Sequence, residues 1–208
     1  MLIIAFDNVF LWVIKLKGYN VIVMINDKKS PWKIIETTDV SPSKWFPISK
    51  DIVQLPNGNI IDYYKSELAN VAMVIPITKN NEVVFVKQYK HGIGKYVLEF
   101  PAGRIESSQT ATQTAIRELL EETGILVGEK DLTFLIELWT EPSKSTVRVS
   151  GYLATGVTIT QKQSLEETEA IKVVKVPLSN LSSFVAEQNI HASDTLALLG
   201  FVKEKGLI

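Results

Sequence analysis

The stretch Gly103–Ile125, GRIESSQTATQTAIRELLEETGI, decides how the rest of the chain is read. In its second half Ala111, Ala115, Ile116, Leu119 and Leu120 recur at three- and four-residue intervals, which is the period of an α-helix with one apolar face. Ser107 or Ser108 can cap its start and Gly124 can end it, so the spacing predicts a helix over residues 110–123. Glu118, Glu121 and Glu122 stand three and four positions apart and share a side, expected opposite the apolar stripe. Carboxylates that close repel one another. Either they are merely solvated, as acidic helix faces commonly are, or a divalent cation binds between them and turns the repulsion into affinity. Arg117 lies inside the cluster and can fork to a neighbouring carboxylate, fixing its rotamer. Upstream, Pro101-Ala102-Gly103 ends a β-rich run with a residue that lets the backbone turn sharply. A free carbonyl there, that of Ala102, can face the helix acids.

Whatever ion binds here sits on oxygen. The chain has 208 residues, no cysteine and only two histidines, His91 and His191, so thiolate zinc sites, disulfides, cysteine nucleophiles and histidine-rich metal sites are all excluded. Hard oxygen ligands point to Mg2+, with Mn2+ as the alternative. Hydrophobic residues at 46% and charged residues at 22% describe a folded globular protein. A net charge of -1 without a long basic block disfavours a nucleic-acid partner but not a small phosphate-bearing ligand.

The stretch resembles the Nudix box, G-x5-E-x7-R-E-U-x-E-E-x-G-U with U a bulky aliphatic residue. Gly103, Arg117, Glu118, Leu119, Glu121, Glu122, Gly124 and Ile125 fall in register with it. One position departs: Gln109 stands where the family has its first Glu, and an amide accepts hydrogen bonds without bringing negative charge. The resemblance implies that Glu118 and Glu122 are the principal metal ligands, with Glu121 and the Ala102 carbonyl assisting. Outside the box, Pro31-Trp32-Lys33, Leu55-Pro56-Asn57-Gly58, Lys87-Gln88-Tyr89-Lys90 and Leu98-Glu99-Phe100-Pro101 are similar to the branch that hydrolyses ADP-ribose and related nucleoside diphosphate sugars. That similarity implies Mg-dependent cleavage of a pyrophosphate bond, giving a nucleoside monophosphate and a sugar phosphate. It also implies a homodimer built on exchanged N-terminal strands.

Roles for further residues are expected beside the box, some from the resemblance and others, Lys144 and Trp45, from their own chemistry. Lys90, where the branch often has Arg, Gln88, Arg104 and Lys144 are expected to meet substrate, and Trp45 to stack on its base. A late acid is expected as general base: Glu169, then Glu167, in Leu165-Glu166-Glu167-Thr168-Glu169. The loop Pro142-Ser143-Lys144-Ser145-Thr146 stands where better-known ADP-ribose hydrolases carry Pro-Gly; it either contacts phosphate and ribose oxygens or is a capped turn. Two other functions stay open on these departures: a Nudix-fold protein that binds a nucleotide sugar without cleaving it, and a hydrolase of dinucleoside polyphosphates or damaged nucleotides.

The remaining segments give the expected architecture. Asn57-Gly58 inside residues 53–64, and the tetrad Thr78-Lys79-Asn80-Asn81 between residues 71–77 and 83–89, predict two hairpins. Further strands are expected at 96–100, 132–139, 147–154 and 171–176, and helices at 178–188 and 193–204. A helix inserted after the middle of a sheet gives a mixed α/β fold, and the resemblance makes it a Nudix-type α/β/α sandwich with an N-terminal β-rich segment. The expected division is 1–24, an apolar extension; 25–66, a β-rich dimerisation segment; and 67–208, the Nudix domain. Residues 1–24 lack a positive n-region and the length of uninterrupted apolar chain that a membrane span needs. They read as an added strand pair or helix, as an upstream extension before Met24, or as an anchor; no membrane partner and a cytoplasmic location are expected.

Overall fold

The computed structural model describes residues 2–6, 9–16, 19–25, 30–187 and 190–208, with side chains from Ser30 onward. Contact density divides the chain into two compact units, Met1–Asp39 with Lys50–Tyr64, and Val40–Ser49 with Lys65–Ile208.

The first unit begins with an antiparallel meander of β1 (Leu2–Phe6), β2 (Val9–Leu16) and β3 (Tyr19–Ile25). The expected strand pair or helix is thus three strands. A second three-stranded sheet has the order β4 (Lys33–Asp39), β5 (Ile48–Gln54), β6 (Ile60–Ser66). The predicted hairpin joins its last two strands. Asn57 Oδ1 accepts from the Asn59 N–H at 3.0 Å, and Gly58 takes φ +88°, a conformation that a side chain would strain.

The larger unit holds a seven-stranded mixed sheet: β7 (Val71–Thr78), β8 (Glu82–Lys90), β9 (Lys95–Glu99), β10 (Ala102–Arg104), β11 (Leu132–Trp139), β12 (Arg148–Val157) and β13 (Ile171–Pro177). Its order is β11-β12-β7-β8-β13, with β10 on β7 and β9 on β8; β12 runs parallel to β7 and the other pairs are antiparallel. β7 is buried almost throughout, as a strand covered on both faces must be. One face carries Met73, Ile75, Phe85 and Phe100 against α3 (Ser193–Glu204) and Leu181 of α2 (Leu181–Ala186). The other carries Ala72, Val74, Val84 and Tyr152 against Ala115 and Leu119 of α1 (Ala111–Thr123). These are the three layers of an α/β/α sandwich.

Two helix expectations change in detail. α1 is capped by Thr110, not by Ser107 or Ser108: Thr110 Oγ1 accepts from the Gln113 N–H while Gln113 Oε1 accepts from the Thr110 N–H. The helix expected at 178–188 is a 3-10 turn, Leu178–Asn180, followed by the short α2; Gln188 lies outside the described residues.

What positions the site is the way β7 and β8 part. They pair only beside their turn, at Ile77↔Val83. Farther along, β9 pairs with β8 and β10 with β7. The Phe100-Pro101 bend is therefore where the chain crosses from one strand's edge to the other's. Pro101 has no N–H to leave unpaired at that crossing, and its carbonyl accepts from the Val74 N–H at 3.0 Å. The Phe100 N–H donates to Thr195 Oγ1 at the start of α3.

Candidate active site

Helix α1 does not set its acids opposite its buried stripe. Thr114, Ala115, Glu118, Leu119, Glu122 and Thr123 are the buried positions, so two of the three carboxylates lie in the contact face. Glu118 is 7% exposed and Glu122 3%. A carboxylate does not enter a contact face without a partner, and the strand bend supplies one. The antiparallel alternation between β10 and β7 turns the Ala102 N–H and carbonyl away from β7. That N–H donates to Glu122 Oε2 at 3.0 Å. Next to it, Gly103 is a glycine for lack of space: a Cβ would lie 1.7 Å from Glu118 Oε1. The Glu118 carboxylate thus occupies the room that any side chain at 103 would fill.

Arg117 organises the exposed side of the cluster. Its guanidinium donates to Glu118 Oε1 at 2.7 Å, to Glu121 Oε2 at 2.7 Å and, through Nε, to Gln109 Oε1 at 3.4 Å. Gln109 Oε1 also accepts from Thr114 Oγ1 at 2.9 Å. The departing residue of the box therefore still anchors Arg117 through its carbonyl oxygen.

Burial raises the Glu122 pKa to about 8, since removing a carboxylate from water penalises its charged form; Glu118, Glu169 and Glu99 add negative charge around it, against the opposing hydrogen bond from Ala102. Glu118 is raised for the same first reason, with Arg117 opposing. Glu169 adds negative charge near both groups. Glu169 is held on a turn in which its Oε2 accepts from the Glu166 N–H at 3.0 Å. The segment leading to that turn is stitched to the end of α1. Gln163 Nε2 donates to the Glu122 carbonyl at 2.6 Å, the Ser164 N–H to the Glu121 carbonyl at 2.9 Å and the Gln161 N–H to the Gly124 carbonyl at 3.0 Å.

A further carboxylate joins from the strand side. Gln88 and Lys90 lie on the α1 face of β8, two residues apart, and Glu99 lies on the same face of β9. Lys90 pairs with Glu99, and its Nζ also donates to Gln88 Oε1 at 2.6 Å. Glu99 is raised by desolvation, opposed by Lys90 and reinforced by Asp194.

The structure thus brings together Ala102, Arg117, Glu118, Glu121, Glu122 and Glu169, with Gln88 and Lys90 alongside through Glu99. The other expected substrate contacts are held elsewhere. Arg104 pairs with Val71, which packs on the α3 side, so alternation places it on the sheet face away from Glu118. Lys144 is on an exposed turn whose Lys144 and Ser145 N–H groups both donate to the Glu141 carbonyl, and its own carbonyl accepts from the Ser66 N–H. Trp45 is exposed with Lys44 Nζ 4.8 Å from its ring centroid. Glu99 and Gln163 were not singled out from the sequence. Glu99 lies in the Leu98-Glu99-Phe100-Pro101 run, but its meaning depends on strand register; Gln163 carries no local signal at all.

Among the described residues, no three acidic or imidazole side chains gather around one point, and Arg117 spans Glu118 and Glu121. The donor set nonetheless fits a hard dication. Its atoms are carboxylate and carbonyl oxygens, Glu122 is buried with no cation partner among the described residues, and the cradle over Gly103 is shaped by a carboxylate.

Comparison with known proteins places the fold in a family. Residues 68–196 match the model of the NUDIX domain, and residues 32–65 match that of the nucleoside diphosphate sugar hydrolase N-terminal domain. An ADP-ribose pyrophosphatase of Bacillus subtilis is 26% identical over 83% of this chain and 93% of its own. The ADP compounds hydrolase NudE of Escherichia coli is 26% identical over 82% and 91%. A methanol dehydrogenase activator of Bacillus methanolicus is 28% identical over 82% and 92%. A crystal structure of an ADP compounds hydrolase superposes with a TM-score of 0.75 at 24% identity, covering 86% of this chain and 96% of that one, which supports the fold. With the box on α1, the sandwich around it and a domain model spanning more than half the chain, this protein belongs to the Nudix hydrolase family.

Proposed function

We propose that the chain hydrolyses the pyrophosphate bond of a nucleoside diphosphate sugar of the ADP-ribose type. The observation that carries this reading is the pair of buried carboxylates, Glu118 and Glu122, seated against Gly103 and the Ala102 N–H. Its substrate class rests on the matched N-terminal domain and on the names of the Bacillus subtilis and Escherichia coli relatives.

Glu118 and Glu122, with Glu121 and the Ala102 carbonyl, would hold Mg2+, or Mn2+ in its place. When bound, the ion neutralises the diphosphate and lowers the pKa of water. Arg117 keeps Glu118 and Glu121 in fixed rotamers. Glu169 accepts the proton of the attacking water at its carboxylate. The water oxygen forms a new P–O bond while the bridging P–O bond breaks, leaving a nucleoside monophosphate and a sugar phosphate. Lys90, steadied by Gln88, faces the diphosphate oxygens. Arg104, Lys144 and Trp45 are retained as contacts for the outer parts of the substrate, two copies of the chain associate through the N-terminal β-rich segment, and the enzyme acts in the cytoplasm. Among the described residues no helix is long and apolar enough to cross a membrane.

The test is release of phosphatase-sensitive phosphate from ADP-ribose in the presence of Mg2+. Glu122→Gln is expected to lower kcat by about two orders of magnitude or more with the fold intact; an unchanged rate refutes the assignment of Glu122. A second reading, binding without cleavage, is favoured by the missing charge at Gln109. Tight binding of ADP-ribose without any product would establish it.

A further inference from the structure

The geometry points to Glu99 as a positioning residue that presents Lys90 to the diphosphate group of the substrate. This inference rests on the pyrophosphatase reading for the identity of the substrate, and on the ion-pair geometry for the role of Glu99.

A lysine is a poor reader of a diphosphate unless something fixes it. Its ammonium is a point charge on a four-carbon stem, and it lacks the rigid two-pronged face of a guanidinium. At position 90 the lysine has been fixed from outside. Gln88 Oε1 accepts one N–H at 2.6 Å and the Glu99 carboxylate takes another. The three residues share one face of the β8–β9 pair, the face that α1 covers. An ammonium has three donors, so one remains for a ligand. The Lys90 side chain is 43% exposed while that of Glu99 is only 15% exposed: the anion is set in the wall and the cation reaches out from it.

Charge balance gives Glu99 a second reason to pair with Lys90. Glu99 lies close enough to add to the negative field on Glu122, and Asp194 adds to the field on Glu99. Without Lys90 the wall beside the box carboxylates would repel the approaching diphosphate. Without Glu99, Lys90 would be free to swing toward Glu122 or into solvent. The pair keeps a cation at the entrance without letting it collapse onto the carboxylates. Glu99 touches neither substrate nor reacting atoms, so its effect passes through Lys90.

The experiment measures binding of inorganic pyrophosphate to the full chain by calorimetry, beside steady-state kinetics with ADP-ribose, for the wild type, Glu99→Gln, Lys90→Met and the double variant. Glu99→Gln is expected to weaken pyrophosphate binding and raise KM by roughly ten-fold, the scale of one charge-assisted hydrogen bond, with kcat changed by less than about two-fold. In the Lys90→Met background it is expected to have no further effect. Lys90→Arg in the Glu99→Gln background should recover most of the loss, because a guanidinium brings its own geometry. Unchanged affinity in Glu99→Gln, an equal loss with and without Lys90, or no pyrophosphate binding by the wild type overturns the inference. A wild type that binds pyrophosphate through this pair but cleaves no nucleoside diphosphate sugar sinks the hydrolase reading and leaves the positioning role standing.

Discussion

Burial of Glu122 couples the stability of the protein to pH and, on the proposed function, to a divalent cation. An ordinary Glu titrates near 4.5, and in the fold Glu122 is raised to about 8 by burial. The folded state therefore binds this proton more tightly than the unfolded state does. Its contribution to stability is fully present below pH 4.5, declines as pH rises through the window from 4.5 to 8, and is gone above it. At about 1.4 kcal/mol for each unit of displacement, the decline is on the order of 5 kcal/mol. The expected outcome is a metal-free protein whose Tm falls from pH 5 to pH 8, and a Tm restored at pH 8 by millimolar Mg2+. Glu122→Gln should flatten the pH dependence and abolish the metal response together. A metal-free Tm that rises over this window would contradict the burial argument. At this scale the sequence is informative where function and spacing are local. The register of Glu118 and Glu122 on one helix was legible because three- and four-residue steps determine it. Their burial was not, because an acidic helix face looks the same whether it meets water or a strand bend.

Elements explain how Glu169 comes near the box carboxylates. The last turn of a helix leaves carbonyls without partners. Here residues 161–164 take up those of Glu121, Glu122 and Gly124, so the end of α1 draws the loop in and Glu169 with it. Gln163 is the side chain in that stitching, bridging the Glu122 and Ile171 carbonyls. Gln163→Ala is expected to cost about 1–2 kcal/mol in denaturant unfolding and to reduce kcat several-fold with little change in KM, since Glu169, proposed as the general base, loses its placement while the proposed substrate contacts stay. Equal kcat in the two proteins would mean that the loop is placed by something else. The strands themselves were legible: the hairpin at Asn57-Gly58 and the runs at 132–139 and 171–176 formed where period-two patterning and turn residues put them. Cross-strand register was not. Glu99 gains its meaning from lying on the face of Lys90, and Arg104, one residue out of phase with Gly103, falls on the sheet face away from Glu118. No local pattern encodes which strand pairs with which.

For the whole molecule, the sheet β4-β5-β6 poses the outstanding physical question. Strand β4 is exposed at every position, although it contains Ile34 and Ile35, which as neighbours in a strand project to opposite faces. Trp32, Ile60 and Tyr64 in the same region are exposed as well. β4 is also an edge of its sheet, with one side free of strand partners among the described elements. An apolar edge strand bare on both faces would be a template for aggregation in an isolated chain. A second copy covering it removes that hazard, and an interface of ordinary size buries roughly 800 Å2 on each partner, an area within reach of such a sheet. Sedimentation at micromolar concentration is expected to give twice the 23.2 kDa mass of one chain. Replacing Ile34 and Ile35 together by Lys should shift the species to single-chain mass while the far-ultraviolet spectrum keeps its strand content. Should the wild type sediment as a single chain, the exposed isoleucines would need another cover and the paired assembly would be wrong. If it pairs but the double variant keeps full activity as a single chain, the active site on α1 is complete within one copy and association serves stability alone.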